Sequence, residues 1–476
     1  MRGAARTAGA APALGRGSRD VTVRLWRQLA AAVLVVLAAA TSAGAIGLNQ
    51  ERELGARFAL EARRRLPLVR EPALTAYLRR IGQRIVTRLD ARQFAYRFYL
   101  VRDQSLNAFA VPGGYVYAHA GLLTRVAREA ELAGVLAHEI VHVHAHHVVR
   151  QQEETALVNY ATLLGLFLSV IHPALGAGAA SVGEAVQLKY MRQFEQEADH
   201  VGLDLMRAAG FDPGGMPSFL RIVLHAQQLN PTQVPPYFLS HPLTEDRVTE
   251  LEHRVSGMGR PESRPGAEAE LASAQATLRA LTLPRESVLP VYQERLERAP
   301  TSAEAQHLLG LVYLYGGQPD RAEPLLGRAT AGHAVRAGGD WGRALARLGK
   351  PAEARAVFEA HLREYPDDPP ITLELARTMV AAGEVKPAAA LLESALAAEP
   401  ELDDAEYALA ECRGKSGDER GQWWHLGRAF ELRGDFERAL GAYQRAGALS
   451  AKDTPEREEA ERAAAGMEHA GGLLGR

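Results

Sequence analysis

Cysteine is almost absent: Cys412 is the only one in 476 residues. No disulfide can close within the chain, which removes one common support for an exported protein, although a large enough core folds without one. Concentrated positive charge is missing too. Lys and Arg number 55 against 57 acids, a formal charge of −2, with no basic stripe or cluster of stacking aromatics, and this argues against a nucleic-acid surface. Nor does any segment hold the roughly 20 consecutive apolar residues that cross a bilayer as a helix. What is present is a globular composition, 47% hydrophobic and 24% charged. The chain is too long for one ordinary core, so two folded domains and a targeting segment are expected.

The targeting segment is expected at residues 1–45. Arg24 and Arg27 precede an apolar run over 29–40, and Thr41-Ser42-Ala43-Gly44-Ala45 offers Ala-x-Ala small residues for cleavage after Ala45, the pattern of a secretory leader. No lipid-accepting cysteine follows. The leader holds six arginines and one acid, Asp20, so its removal leaves 49 basic and 56 acidic side chains, a formal −7. Residues 155–183 carry no Asp, Glu, Lys or Arg. Glycines and polar residues dilute that stretch, so peripheral membrane contact or packing beside a cleft is expected rather than a span.

Apolar residues recur at helical spacing over 50–88, broken near Pro67 and Pro72, and predict two helices. Residues 94–101 alternate as a strand, and 111–118 read as a second strand after the turn signal Pro112-Gly113-Gly114. A long helical pattern covers 122–152. Another runs over 187–209 and stops at Gly210, with Pro213 beyond. A Gly/Pro-rich linker is placed at 257–267. After it the sequence repeats: Gly317, Gly349 and Gly383 each open a similar Gly/Pro/Ala motif, and Pro300, Pro366 and Pro400 close helices. A period near 34 resembles the tetratricopeptide repeat, whose helix pairs stack into a solenoid. Gly417 and Gly434 lie half a period apart, which points to a half unit around Trp423 and Trp424 before a terminal cap.

The chemistry concentrates in His138-Glu139-Ile140-Val141-His142. On a helix the two histidines, four residues apart, share a face and can hold one zinc ion, with Glu139 beside them as general base. A catalytic zinc needs a third protein ligand and an open position. Glu195-Gln196-Glu197-Ala198-Asp199 supplies a carboxylate on the next long helix: Glu195 as ligand, Asp199 one turn later to orient a ligand histidine. His142 with His146 is an alternative pair, and Glu197 an alternative ligand. Only His138 and His142 bracket a glutamate, which hydrolysis needs beside the metal, and Glu197, two residues from Glu195, points to another side of its helix.

These residues carry a resemblance. HExxH followed by Glu-x-Glu-Ala-Asp-x-x-Gly on a second helix resembles the gluzincin metallopeptidases of the HtpX and BepA-like group and their relatives, the CAAX prenyl proteases. Ser105-Leu106-Asn107-Ala108-Phe109-Ala110-Val111-Pro112-Gly113-Gly114 looks like the family's segment leading into the cleft-edge strand, and Ser240-His241-Pro242-Leu243 like its late histidine loop. With the repeats, the likeness is to the periplasmic BepA-like branch. It implies a mostly helical chain: an α+β metallopeptidase domain with a small sheet over 46–256, then an α-solenoid of tetratricopeptide repeats over 268–470. It implies one Zn2+ per chain and a periplasmic endopeptidase acting on unfolded or extended polypeptides. The repeats would recruit the outer-membrane protein assembly machinery or its stalled clients. Gly114, Tyr115, Val116 and Tyr117 are expected on the strand edge that pairs with substrate. His241 is expected either to stabilise the oxyanion or to occupy the open zinc position and hold the enzyme inactive. The competing class is a chaperone or scaffold in which zinc is structural and the repeats do the work.

Overall fold

The structure, a computed structural model, describes residues 47–150, 184–229, 237 and 241–472. The expected leader at 1–45, the uncharged stretch at 155–183 and the prolines at 231 and 235–236 lie outside the described residues.

Helix α1 (Leu48–Arg65) and helix α2 (Pro72–Val86) form where the two-helix periodicity places them. Leu54, Phe58 and Ala62 line one face of α1 and are buried, and Pro72 sits in the first turn of α2, where its missing N–H costs nothing. Strands β1 (Leu68–Val69), β2 (Arg97–Val101), β3 (Ala108–Val111) and β4 (Tyr115–His119) make one sheet in the order β1-β2-β4-β3. The expected strand over 111–118 is instead a hairpin. Gly113 and Gly114 take φ of 85° and 97°, values open to glycine at little cost, and turn β3 back onto β4. Side chains alternate across the sheet. Val116 and Ala118 join the core shared with α2 and the metal-site helix, whereas Phe109, Val111, Tyr115 and Tyr117 pack on α1.

The long helix expected over 122–152 is broken. Helix α3 (Ala120–Arg125) stops, and helix α4 (Glu129–His144) starts afresh. Glu131 explains the restart: its carboxylate accepts the N–H of Ala127 at 2.6 Å and of Arg128 at 3.3 Å, satisfying donors that a continuous helix would have bonded internally. Helix α5 (Glu184–Ala208) packs along α4, and helix α6 (Gly215–Leu229) crosses it. Helix α7 (Glu245–Ser256) is capped by the Thr244 side chain, which accepts from the Arg247 N–H.

Helix α8 (Ala267–Thr282) faces both ways. Leu271, Ala274 and Leu278 enter the core around α4, while Ala276 joins the core of the following helices. Beyond it run α9 (Arg285–Arg298), α10 (Ala303–Tyr315), α11 (Pro319–Ala331), α12 (Ala337–Arg347), α13 (Pro351–Glu364), α14 (Pro369–Ala381), α15 (Val385–Ala398), α16 (Asp403–Lys415), α17 (Glu419–Arg433), α18 (Phe436–Leu449) and α19 (Pro455–Gly472). Gly317, Gly349, Gly383 and Gly417 turn one helix into its partner with φ of 76°, 73°, 83° and 83°. The half period between Gly417 and Gly434 is one helix, α17, which packs on both α16 and α18. The array curls back onto the first helices: Arg63 pairs with Glu401 at 2.6 Å, and Arg70 donates to the Leu432 and Arg433 carbonyls at 2.8 and 2.9 Å. A cavity of about 790 Å³ remains between this end of the array and β2. No helix among the described residues is long and apolar enough to cross a membrane.

Candidate metal centre

α4 presents His138 and His142 to α5, which presents Glu195. Between the two histidines, Ile140 and Val141 turn into the core and hold the helix in place. The turn entering α7 brings His241 to the same point. Ligand atoms of His138, His142, Glu195 and His241 all lie within 4.8 Å of one another. His138 Nε2 stands 2.9 Å from His142 Nε2, 3.2 Å from His241 Nδ1 and 3.4 Å from Glu195 Oε2. His142 Nε2 and His241 Nδ1 stand 3.3 and 3.0 Å from Glu195 Oε1. Ligands about 2.0–2.1 Å from a tetrahedral ion lie roughly 3.3 Å apart, so this spacing suits such an ion. Glu139 is 1% exposed, and Glu139 Oε1 is buried without a hydrogen bond. Glu195 and Asp199 share the Arg247 guanidinium, and Glu139 adds a third buried carboxylate beside them, a balance that suits a divalent cation.

The surroundings orient these groups. Asp199 accepts from His138 Nδ1 at 2.9 Å, which leaves Nε2 free toward the cluster. Arg247 grips Asp199 through two nitrogens and lies 2.7 Å from Glu195 Oε2. Burial alone would lower the His138 imidazole, but Glu195 and Asp199 outweigh it and raise it to about 10. Burial lowers His142 to about 4. Burial would raise Glu195, yet His241, His138 and Arg247 hold it well below the usual carboxylate range. The His241 ring stacks on Tyr237 with centroids 4.6 Å apart, and its Nε2 lies 3.3 Å from Glu139 Oε1.

The alternative ligands lie elsewhere. His146 binds Glu51 at 2.7 Å, and Glu197 faces Arg150 at 3.0 Å. Two residues of the site escape sequence reading. Arg247 is one arginine among many, signalled only by its place six residues past His241. His147 is submerged in a histidine run; its Nδ1 lies 2.9 Å from His142 Nδ1. Burial and the neighbouring His142 lower its ring to about 3.

The strand expectation needs correction. Gly114, Tyr115, Val116 and Tyr117 do not form a free edge: β4 pairs with β2 in parallel and with β3 antiparallel. Among the described residues the free edge beside α4 is β3.

Residues 72–255 match Peptidase family M48, and tetratricopeptide repeats match 307–369, 344–412 and 425–458. A Vibrio cholerae relative is 33% identical over 289 residues, covering 59% of this chain and 60% of its own. The beta-barrel assembly-enhancing protease of Yersinia pestis is 35% identical over 227 residues, 46% of each chain. The mitochondrial metalloendopeptidase OMA1 of Schizosaccharomyces pombe is 29% identical over 178 residues, covering 37% of this chain and 52% of its own. The chain thus spans about half the length of the curated relatives it matches. Residues 72–255 belong to peptidase family M48, and the array that follows is built of tetratricopeptide repeats.

Proposed function

We propose that this chain is an exported zinc metalloendopeptidase that cleaves extended or misfolded segments of outer-membrane proteins, with its repeats recruiting client or assembly partner. The observation that carries the reading is the convergence of His138, His142, Glu195 and His241, with the Glu139 carboxylate against it. His138, His142 and Glu195 would hold the zinc. Zinc there would supply a Lewis acid that polarises the scissile carbonyl and makes a water acidic. Glu139, its carboxylate turned to the cluster, would take a proton from the attacking water and return it to the leaving amine. Asp199 and Arg247 keep His138 and Glu195 in place through the contacts above.

Substrate recognition follows from β3. The His119 N–H donates to the Asn107 carbonyl, so those two residues form a hydrogen-bonded pair. Antiparallel pairs alternate, and Ala108 and Ala110 therefore turn their N–H and C=O groups away from β4; Ala108 is fully buried and Ala110 partly exposed, so Ala110 is the residue a peptide would meet. An extended peptide pairs there through its backbone, with little demand on its side chains. The leader pattern supports export to the periplasm, and the likeness to beta-barrel assembly-enhancing proteases of bacteria supports outer-membrane clients.

The test compares the full chain with Glu139→Gln on unfolded outer-membrane protein. The variant should keep its zinc and lose cleavage, whereas His138→Ala, His142→Ala and Glu195→Ala should each lower zinc stoichiometry. Equal fragmentation by the parent and Glu139→Gln would reject the enzyme in favour of a scaffold with structural zinc.

A further inference from the structure

We infer that His147, held by Phe194 and Glu197, is a positioning residue for His142: it fixes the ring that offers Nε2 to the metal. The inference rests on the proposed ligand role of His142.

The local backbone brings His147 there. α4 ends at His144, and His146 adopts φ of 54°, a left-handed conformation uncommon for a residue with a side chain. The His146–Glu51 contact at 2.7 Å holds this turn from the α1 side. That residue breaks the helix before helical backbone resumes at 147–150, and the offset sets the His147 ring against His142. Its ring is 3% exposed and stacks on Phe194 of α5, with centroids 4.6 Å apart and planes 20° apart. Arg150 covers Phe194 at 4.9 Å and reaches Glu197 at 3.0 Å.

The atoms assign the direction of the hydrogen bond. A histidine that gives Nε2 to a metal carries its proton on Nδ1. His142 Nδ1–H therefore donates to His147 Nδ1, 2.9 Å away. His147 must then carry its own proton on Nε2, which makes no well-aligned hydrogen bond but lies 3.3 Å from the Glu197 carboxylate. That carboxylate favours the tautomer whose Nδ1 can accept. The two ligand histidines are thus oriented differently: His138 directly by a buried carboxylate, His142 through an intervening imidazole. It also gives Glu197 a role distinct from that of Glu195, although both sit on the same helix. Partners that orient a metal's histidine typically change metal affinity by about 10–100-fold when removed.

Two substitutions separate the hydrogen bond from the packing. His147→Phe keeps an aromatic ring on Phe194 and removes the acceptor. His147→Asn gives up the ring, but its Oδ1 falls where Nδ1 was and can accept from His142. Zinc affinity of the full chain, measured by competition with a chromophoric chelator, should fall about 10–100-fold in His147→Phe and stay within about 3-fold of the parent in His147→Asn. The visible absorption of the cobalt-substituted protein should follow the same order. Glu197→Ala should weaken zinc less than His147→Phe, since its carboxylate is 39% exposed and screened. Parent-like zinc affinity in His147→Phe would overturn the inference. So would an equal loss in Phe and Asn variants of native far-UV circular dichroism, since the restored acceptor would then have rescued nothing. If His147→Phe does not fold, the Asn variant decides: a loss of zinc there rejects the role. Retention of zinc by His142→Ala would instead reject the ligand assignment beneath it.

Discussion

The expectation that the site is held inactive rests on His241. Its Nδ1 stands within 3.2 Å of both His138 Nε2 and Glu195 Oε1, in the place of a fourth ligand rather than at a distance where it could only donate to a substrate oxygen. Tyr237 stacks on its ring and the Tyr237 carbonyl accepts its backbone N–H at 2.8 Å, so the position is held from behind. An imidazole there excludes the water that hydrolysis needs. His241→Ala should therefore raise the initial rate on an unfolded substrate, with zinc retained. A large fall, about 100-fold on the scale of other oxyanion donors, would assign it to the reaction instead. At this scale much of the site is legible in the sequence, because HExxH and the later Glu-x-x-x-Asp rest on local helical geometry. Arg247 and His147 are not, since their meaning depends on a loop entry and a left-handed helix break that leave no period in the sequence.

At the scale of elements, punctuation is readable and pairing is not. Pro72, the repeat glycines and the stop at Gly210 each act on their own few residues, and the helices end accordingly. The break between α3 and α4 contains neither Gly nor Pro, and it depends on Glu131 turning back to Ala127 and Arg128. Which strand is free depends on partners distant in sequence, and so the local pattern points to β4 as an edge when it lies inside the sheet. With β3 as the edge, proline at 110 becomes informative. Ala110 directs its N–H away from β4, where a proline removes no sheet hydrogen bond. Ala110→Pro should raise KM for an extended substrate several-fold while leaving the thermal midpoint and zinc content near those of the parent. Unchanged KM would place the peptide elsewhere.

At the scale of the molecule, the array is fastened to the peptidase domain by buried charge, and this sets its response to acid. Arg80 of α2 binds Glu270 of α8, which also receives Arg264 at 2.9 Å and Arg336 at 3.4 Å. Arg336 continues to Asp368, which accepts from His361 at 3.0 Å and from the Ile371 N–H at 3.2 Å. Burial alone would raise the Asp368 carboxyl, but the His361 hydrogen bond and Arg336 outweigh it and hold it below its ordinary value. A carboxyl depressed on folding stabilises fully above its unfolded value, near 4, and that contribution is lost as pH falls toward the lower folded value. Asp368→Asn removes the charge and leaves Arg336 and His361 without it, a change that costs about 3 kcal/mol for a buried pair. Urea unfolding of parent and variant should show that gap undiminished at pH 7 and pH 5. It should narrow below about pH 4, where the carboxyl of the unfolded chain takes up a proton before the folded Asp368 does. A gap that widened on acidification would mean that Asp368 is held above its ordinary value, so that the junction is fastened by packing and the charges around it are merely tolerated.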